Sequence, residues 1–457
     1  MVSATSRAAV TGTRLSSVVP ASVTGENKDR HLTGLDLAMK LHYIRAVYFF
    51  DSKAVEGLTI YDLKKPMFPL LRLYYPVSGR IRRRDDKDAR LQGRPFIKCN
   101  DGGVRIVEAH CPDWTVEEWL RLPATAADDG GGGRDDDLLA FDQVLGPDLG
   151  FSPLVYVQFT WFNCGGLSVG LSWAHVLGDP FSASAFLNTW AQLLHGHATP
   201  DSLHQPGLLD PSPPRFRPNN KKKPSSLKRV DPVGDSWRAT SFAKTRTHTF
   251  RLTAQQLNDV ISRATAGASP AAAAKVSRFD VLSAILWKSM AKLGEDSAAA
   301  GPRTVTVCWN KSPAAGRERE APSNEMAVGT VGADFEAAKS KVFELAELIA
   351  EKKEDESELI EEAMAAEGGG GFDCVVYGAN LTFVNLGKAK IYELEMKGRK
   401  PIFANCTIRG VGEVGTVLVL PGPAEEGEES GKVVNVILPA KQLAGLREEL
   451  RKSWGIV

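Results

Sequence analysis

The 457-residue chain carries only six cysteines: Cys99, Cys111, Cys164, Cys308, Cys374 and Cys406. None is spaced as a disulfide framework or a metal site requires, so a reduced intracellular chain is expected. No apolar run approaches the roughly eighteen residues of a membrane span. Residues 1–30 hold no continuous apolar stretch, which argues against a secretory signal. Charge is balanced, with 56 basic against 55 acidic residues and a net of +1, so no global field recruits nucleic acid. A phosphate-cradling loop is also missing: Gly130 to Gly133 lacks a strand before it and a helix after it. No repeat period marks a solenoid.

What the chain does have is concentrated in residues 167–194, LSVGLSWAHVLGDPFSASAFLNTWAQLL. Leu167, Val169, Leu171 and Trp173 alternate with Ser168, Gly170 and Ser172, the period of a half-buried strand. Pro180 suits the first position of a helix, which puts Asp179 at its N-cap. Ala183, Phe186, Leu187, Trp190, Leu193 and Leu194 form the apolar stripe of that helix, and Gly196 can end it. His175 thus lies on a short loop between two rigid elements, where a catalytic base is often found. An isolated loop histidine bonded to backbone is the duller alternative. Trp161, Phe162, Trp173 and Trp190 read as core before they read as a ligand groove. Cys164 reads as a hairpin residue, and His195 and His197 as solvated.

Hydrophobic content of 43% with 24% charge is that of a globular protein, and the length favours two domains. The Pro- and Lys-rich tract 205–237 divides an N-terminal domain, 1–204, from a C-terminal domain, 238–457. Its basic cluster of Lys221, Lys222, Lys223, Lys228 and Arg229 reads as a solvated linker before a membrane or nucleic-acid patch. Glycine- and acid-rich stretches at 125–137, 294–302, 361–371 and 424–430 read as surface insertions. Expected strands include 46–50, 154–162, 248–252, 414–420 and 433–438, with 95–100 and 103–109 forming a strand pair across Asn100-Asp101-Gly102. Expected helices begin after Thr33, Thr253 and Ser277 and run over 333–353 and 440–452.

Several blocks, in order, resemble the plant BAHD acyl-CoA-dependent acyltransferases. They are Leu32-Thr33-Gly34-Leu35-Asp36, then Tyr75 to Ile81, then Gln158 to Gly166 followed by His175 to Asp179, and finally Ser283 to Lys288. Blocks at consistent spacing are far more specific than a lone HxxxD. The family's DFGWG turn is rewritten as Glu395-Met396-Lys397-Gly398-Arg399, and Asn324 is the one remnant of a Gly-Asn segment. An intact HxxxD beside a lost DFGWG is similar to the Eceriferum/Glossy wax-deficiency subgroup.

The resemblance implies a chloramphenicol-acetyltransferase-like α/β fold of two similar-sized domains, each a mixed sheet with flanking helices, and a tunnel at the domain interface. It assigns His175 the role of general base and Asp179 an orienting role, paired with an arginine of the second half. It implies acyl-CoA as co-substrate or ligand, no permanently bound cofactor, and no metal. For the subgroup it implies work in very-long-chain fatty acid elongation for cuticular wax, as an accessory of the elongase condensing enzyme, a 3-ketoacyl-CoA synthase. The chain is then expected to be cytoplasmic, peripheral at the cytosolic face of the endoplasmic reticulum, and a monomer apart from that partner. The alternative is an active O- or N-acyltransferase with His175 as its base.

Overall fold

The computed structural model describes residues 10–25, 28–88, 91–122, 136–141, 148–197, 223–238, 245–295, 302–311, 322–366, 372–423 and 430–457. Two mixed sheets organise them. The first has six strands in the order Thr11–Val18, Val104–Cys111, Val155–Phe162, Leu167–Ala174, Tyr43–Phe50 and Phe403–Arg409. Only Val104–Cys111 and Val155–Phe162 run parallel within it. The second has seven, in the order Thr245–Leu252, Lys432–Pro439, Thr416–Pro421, Leu381–Asn385, Thr304–Asn310, Met326–Gly332 and Glu354–Asp355. Helices flank both; the first sheet contributes to one buried apolar cluster, and the second puts residues of one face into that cluster and of the other into a second.

The division into consecutive halves is not how the sheets are composed. Phe403–Arg409 comes from the second half yet pairs along its whole length with Tyr43–Phe50 of the first sheet. Its residues Phe403, Ala404, Cys406 and Ile408 join the first cluster, so the two domains share a strand.

Local sequence explains the element that carries the site. Asp179 caps the helix Pro180–Leu194, its carboxylate accepting from the amides of Phe181 and Ser182. The buried face of that helix holds Ala183, Phe186, Leu187 and Trp190, and Gly196 adopts φ 76° just beyond its end. Trp173, Trp190 and Phe162 are core residues, and both indoles are satisfied: Trp173 Nε1 donates to the Gly178 carbonyl at 3.0 Å and Trp190 Nε1 to the Leu63 carbonyl at 2.9 Å.

Four expectations change. The strands on either side of Asn100-Asp101-Gly102 form but do not pair with each other. Pro95–Lys98 joins Arg80–Arg83 and Asp29–His31 in a small separate sheet, while Val104–Cys111 enters the main one. Asp101 turns the chain at φ 53°, anchored by Thr24, so the segment is a hand-over between sheets. The helix expected over 333–353 is confined to Val342–Glu351.

The supposed insertion at 361–371 begins as the end of the helix Ser357–Ala366, and residues 367–371 lie outside the described residues. Glu361 accepts from the amides of Gly34 at 2.6 Å and Leu35 at 2.9 Å, answering orphan donors of the helix Gly34–Ala38.

The tract 205–237 is also more than a solvated linker where it is described. Lys228–Arg229 pairs with Cys374–Val375, Ser226 donates its amide to Glu356 at 2.8 Å, and Trp237 is fully buried. Lys221 and Lys222 of its basic cluster lie outside the described residues.

Candidate active site

His175 opens a single tight turn, His175–Leu177, between the strand Leu167–Ala174 and the capped helix. Gly178 follows because a Cβ there would stand 2.7 Å from the backbone nitrogen of Ser323. The turn is pressed against residues 322–326 of the second domain, and three side chains fasten it. Asp179 accepts from Phe181 and Ser182 through Oδ1, at 3.1 and 3.2 Å, and from the amides of Glu325 and Met326 through Oδ2, at 3.2 and 3.3 Å. Asn324 Nδ2 donates both to Asp36 Oδ1 at 2.8 Å and to the His175 carbonyl at 2.9 Å. Arg30, itself buried, donates to the carbonyls of Leu177 at 3.1 Å and Pro322 at 2.7 Å.

Asp179, expected to orient the loop, thus accepts from backbone amides of both domains. The second-half arginine expected beside it is not identified among the described residues. The LTGLD block acquires a physical purpose, since Asp36 holds the asparagine that holds the histidine. Asn324 was visible as a motif remnant; Arg30 was not, because nothing local to it signals a partner nearly 300 positions away.

His175 itself is 1% exposed. Burial lowers the pKa of its imidazole, opposed by its own backbone carbonyl and by Asp179, so the ring is neutral at pH 7. Nε2 faces the hydroxyl of Tyr377 at 3.0 Å. Burial pushes that phenol well above its ordinary value, so it keeps its proton. With the ring proton on Nδ1, Nε2 accepts from the phenol; with it on Nε2, the ring donates to the phenol oxygen. His42 completes the cluster: its Nε2 accepts from the amides of Val376 at 3.1 Å and Tyr377 at 3.4 Å, and its ring meets Tyr377 edge-on at 4.8 Å.

Of three cavities bounded by described residues, none has His175 in its lining. The nearest large one, about 260 Å³, begins two residues beyond Asp179, at Phe181. It lies between the domains and is walled by Trp309, Asn310, Lys353, Asn385 and Lys388 among others. Two lysines outnumber the one carboxylate in its lining, Asp280, and with two side-chain amides and an indole they suit an anionic ligand with an aromatic part. Among the described residues no three His, Cys, Asp or Glu side chains converge as metal ligands. Nor is any described helix long and apolar enough to cross a membrane.

The rewritten DFGWG position is a tight two-residue turn, with Lys397 at φ 48°, Gly398 at φ 73°, and paired bonds of 2.9 Å between Met396 and Arg399. Met396 alone of the five is buried; Glu395, Lys397, Gly398 and Arg399 are exposed. The charges of the rewritten turn therefore lie on the surface, where they cost little. Lys397 Nζ reaches the Glu56 carbonyl and Arg399 pairs with Asp51 at 2.9 Å. His195, expected to be solvated, accepts the Lys397 amide on Nε2 at 2.6 Å.

A two-domain α/β fold with an HxxxD loop clamped at the interface defines an acyltransferase-like protein. A family model described as "Transferase family" matches residues 8–310, and the chain belongs to this BAHD family. It is similar to Protein ECERIFERUM 2 of Arabidopsis thaliana, at 41% identity over 96% of this chain and 98% of that protein. Protein ECERIFERUM 26-like of the same plant is 38% identical over 97% and 96%. Among solved structures, F. graminearum TRI101 complexed with ethyl coenzyme A shares the fold at a TM-score of 0.71 and 13% identity, covering 94% of this chain and 98% of that one.

Proposed function

We propose that this chain is an acyltransferase-fold accessory of very-long-chain fatty acid elongation for cuticular wax. It works beside a 3-ketoacyl-CoA synthase at the cytosolic face of the endoplasmic reticulum, with acyl-CoA as ligand rather than substrate. The observation that carries the reading is the state of His175, buried at 1% exposure with Nε2 already bonded to Tyr377. A base must meet the acceptor's proton within hydrogen-bond reach, and here that reach is taken. Similarity over nearly the full length to two ECERIFERUM proteins supports the wax assignment. The interdomain cavity with Lys353 and Lys388 offers the charge that a coenzyme A phosphate needs, and TRI101 structures hold coenzyme A.

The decisive experiment places His175→Ala in a plant lacking the protein and measures wax chain length. Extension equal to that of the parent chain is expected. Loss of the long-chain products with protein abundance unchanged would return catalysis to the site. One observation favours that rival, an active O- or N-acyltransferase: burial keeps the His175 ring neutral, the state a base requires.

A further inference from the structure

We propose that Tyr377 is a built-in blocking residue: its hydroxyl occupies the place at His175 Nε2 that an acyl-accepting hydroxyl must take. The proposal deepens the reading of His175 as idle and rests on it. An imidazole acting as base offers one lone pair, and the acceptor's O–H must come within about 2.6–3.2 Å of it. The phenol oxygen stands at 3.0 Å, inside that window, and belongs to the same chain.

The block is held from several directions. Tyr377 is 1% exposed, and its ring is flanked by those of His175 at 5.5 Å and His42 at 4.8 Å. His42 Nε2 accepts from the amides of Val376 and Tyr377, fixing the backbone from which the phenol projects. The next residue, Gly378, adopts φ 84° and lies so close to the loop at Gly412 that a Cβ would stand 2.5 Å from it. With the backbone pinned on both sides, a shift of the main chain cannot carry the phenol away from His175. His42 is a positioning residue for the block, and neither it nor Tyr377 had a motif to reveal it in the sequence.

The test uses the purified full-length protein, with palmitoyl-CoA as probe and water as acceptor. In an opened site His175 Nε2 takes a proton from water, whose oxygen bonds to the thioester carbonyl carbon. The C–S bond breaks and the departing thiolate takes up the proton, so free thiol reports each turnover. Tyr377→Gly should raise thiol release at least ten-fold over the parent chain, and His175→Ala on top of it should remove the gain. Tyr377→Phe keeps the ring in place without the hydroxyl. It should shift the ¹⁵N resonances of the His175 imidazole, since Nε2 loses its hydrogen-bond partner.

Folded Tyr377→Gly protein with thiol release at the parent level would overturn the proposal. So would Tyr377→Phe with unchanged His175 resonances, which decides the matter if the glycine variant does not fold. An acyl ester on Tyr377 of the parent chain would overturn it as well, because the phenol would then be reacting rather than blocking. Wax chain length reads the accessory role and thiol release reads the block, so the failure of one is distinguishable from the failure of the other.

Discussion

Asp179 shows how one side chain can serve two domains. Four backbone amides converge on its two oxygens, two at the start of its own helix and two at the start of the strand Met326–Gly332. Its residual exposure is 1%, so water cannot replace them if the carboxylate is removed. Loss of an N-cap alone costs about 1 kcal/mol. Stranding buried donors that faced a charge adds about 1–3 kcal/mol. Asp179→Ala should therefore destabilise the protein by about 3 kcal/mol, read as a fall in the urea midpoint with the slope unchanged. Asp179→Asn should recover only part of this, because its NH2 group must face donors on one side. A loss of under about 0.5 kcal/mol for the alanine variant would show that the clamp is redundant with Asn324 and Arg30.

At the scale of elements, the strand Phe403–Arg409 is the piece that makes two sheets into one body. Asn435, fully buried on Lys432–Pro439, donates to Asn405 Oδ1 at 2.6 Å and to the Cys406 carbonyl at 2.7 Å, and it accepts from Thr249 at 2.7 Å. Asn435→Leu removes a donor from Asn405 Oδ1 and from the buried Cys406 carbonyl and the acceptor of the Thr249 hydroxyl, and should cost about 2 kcal/mol, checked by urea denaturation. A retained single transition is expected, since the shared strand still couples the sheets.

This strand was also the element least legible in the sequence. Ala404, Cys406 and Ile408 alternate with Asn405, Thr407 and Arg409, but the run is short and its partner lies some 360 positions earlier. Elements whose signals are local were read well: the Thr253 cap and its helix to Ala264, the hairpin leading to His175, and the helix after Asp179. Those needing a distant answer were not, as with Glu361 on Gly34 and Leu35, or Asp373 on Lys40 at 2.6 Å. The candidate site divides the same way. His175 and Asp179 announced themselves by spacing, whereas Tyr377, His42 and Arg30 reach them only through the fold.

For the whole molecule, burying neutral histidines couples its stability to pH. Burial lowers His42 from 6.5 to about 3, lowers His248 to about 4 and lowers His175 as well. Between the unfolded value of 6.5 and the lowered folded value, the unfolded chain binds a proton that the folded chain refuses. Folding is therefore favoured fully above about pH 6.5 and loses ground as pH falls through that window. One such group costs about 1.4 kcal/mol per pH unit, so His42 alone removes about 2 kcal/mol between pH 6.5 and pH 5. The contribution is large because His42 cannot be hydrated without opening the contact between the strand Tyr43–Phe50 and the Val376–Tyr377 segment it holds. His42→Gln keeps an acceptor for those amides but cannot titrate, so its urea midpoint should fall less between pH 7 and pH 5 than that of the parent chain. Equal slopes in the two proteins would mean that the parent admits the proton on His42 without unfolding. The seal around His175 would then open in mildly acidic solution, exposing the ring while the sheets stay intact.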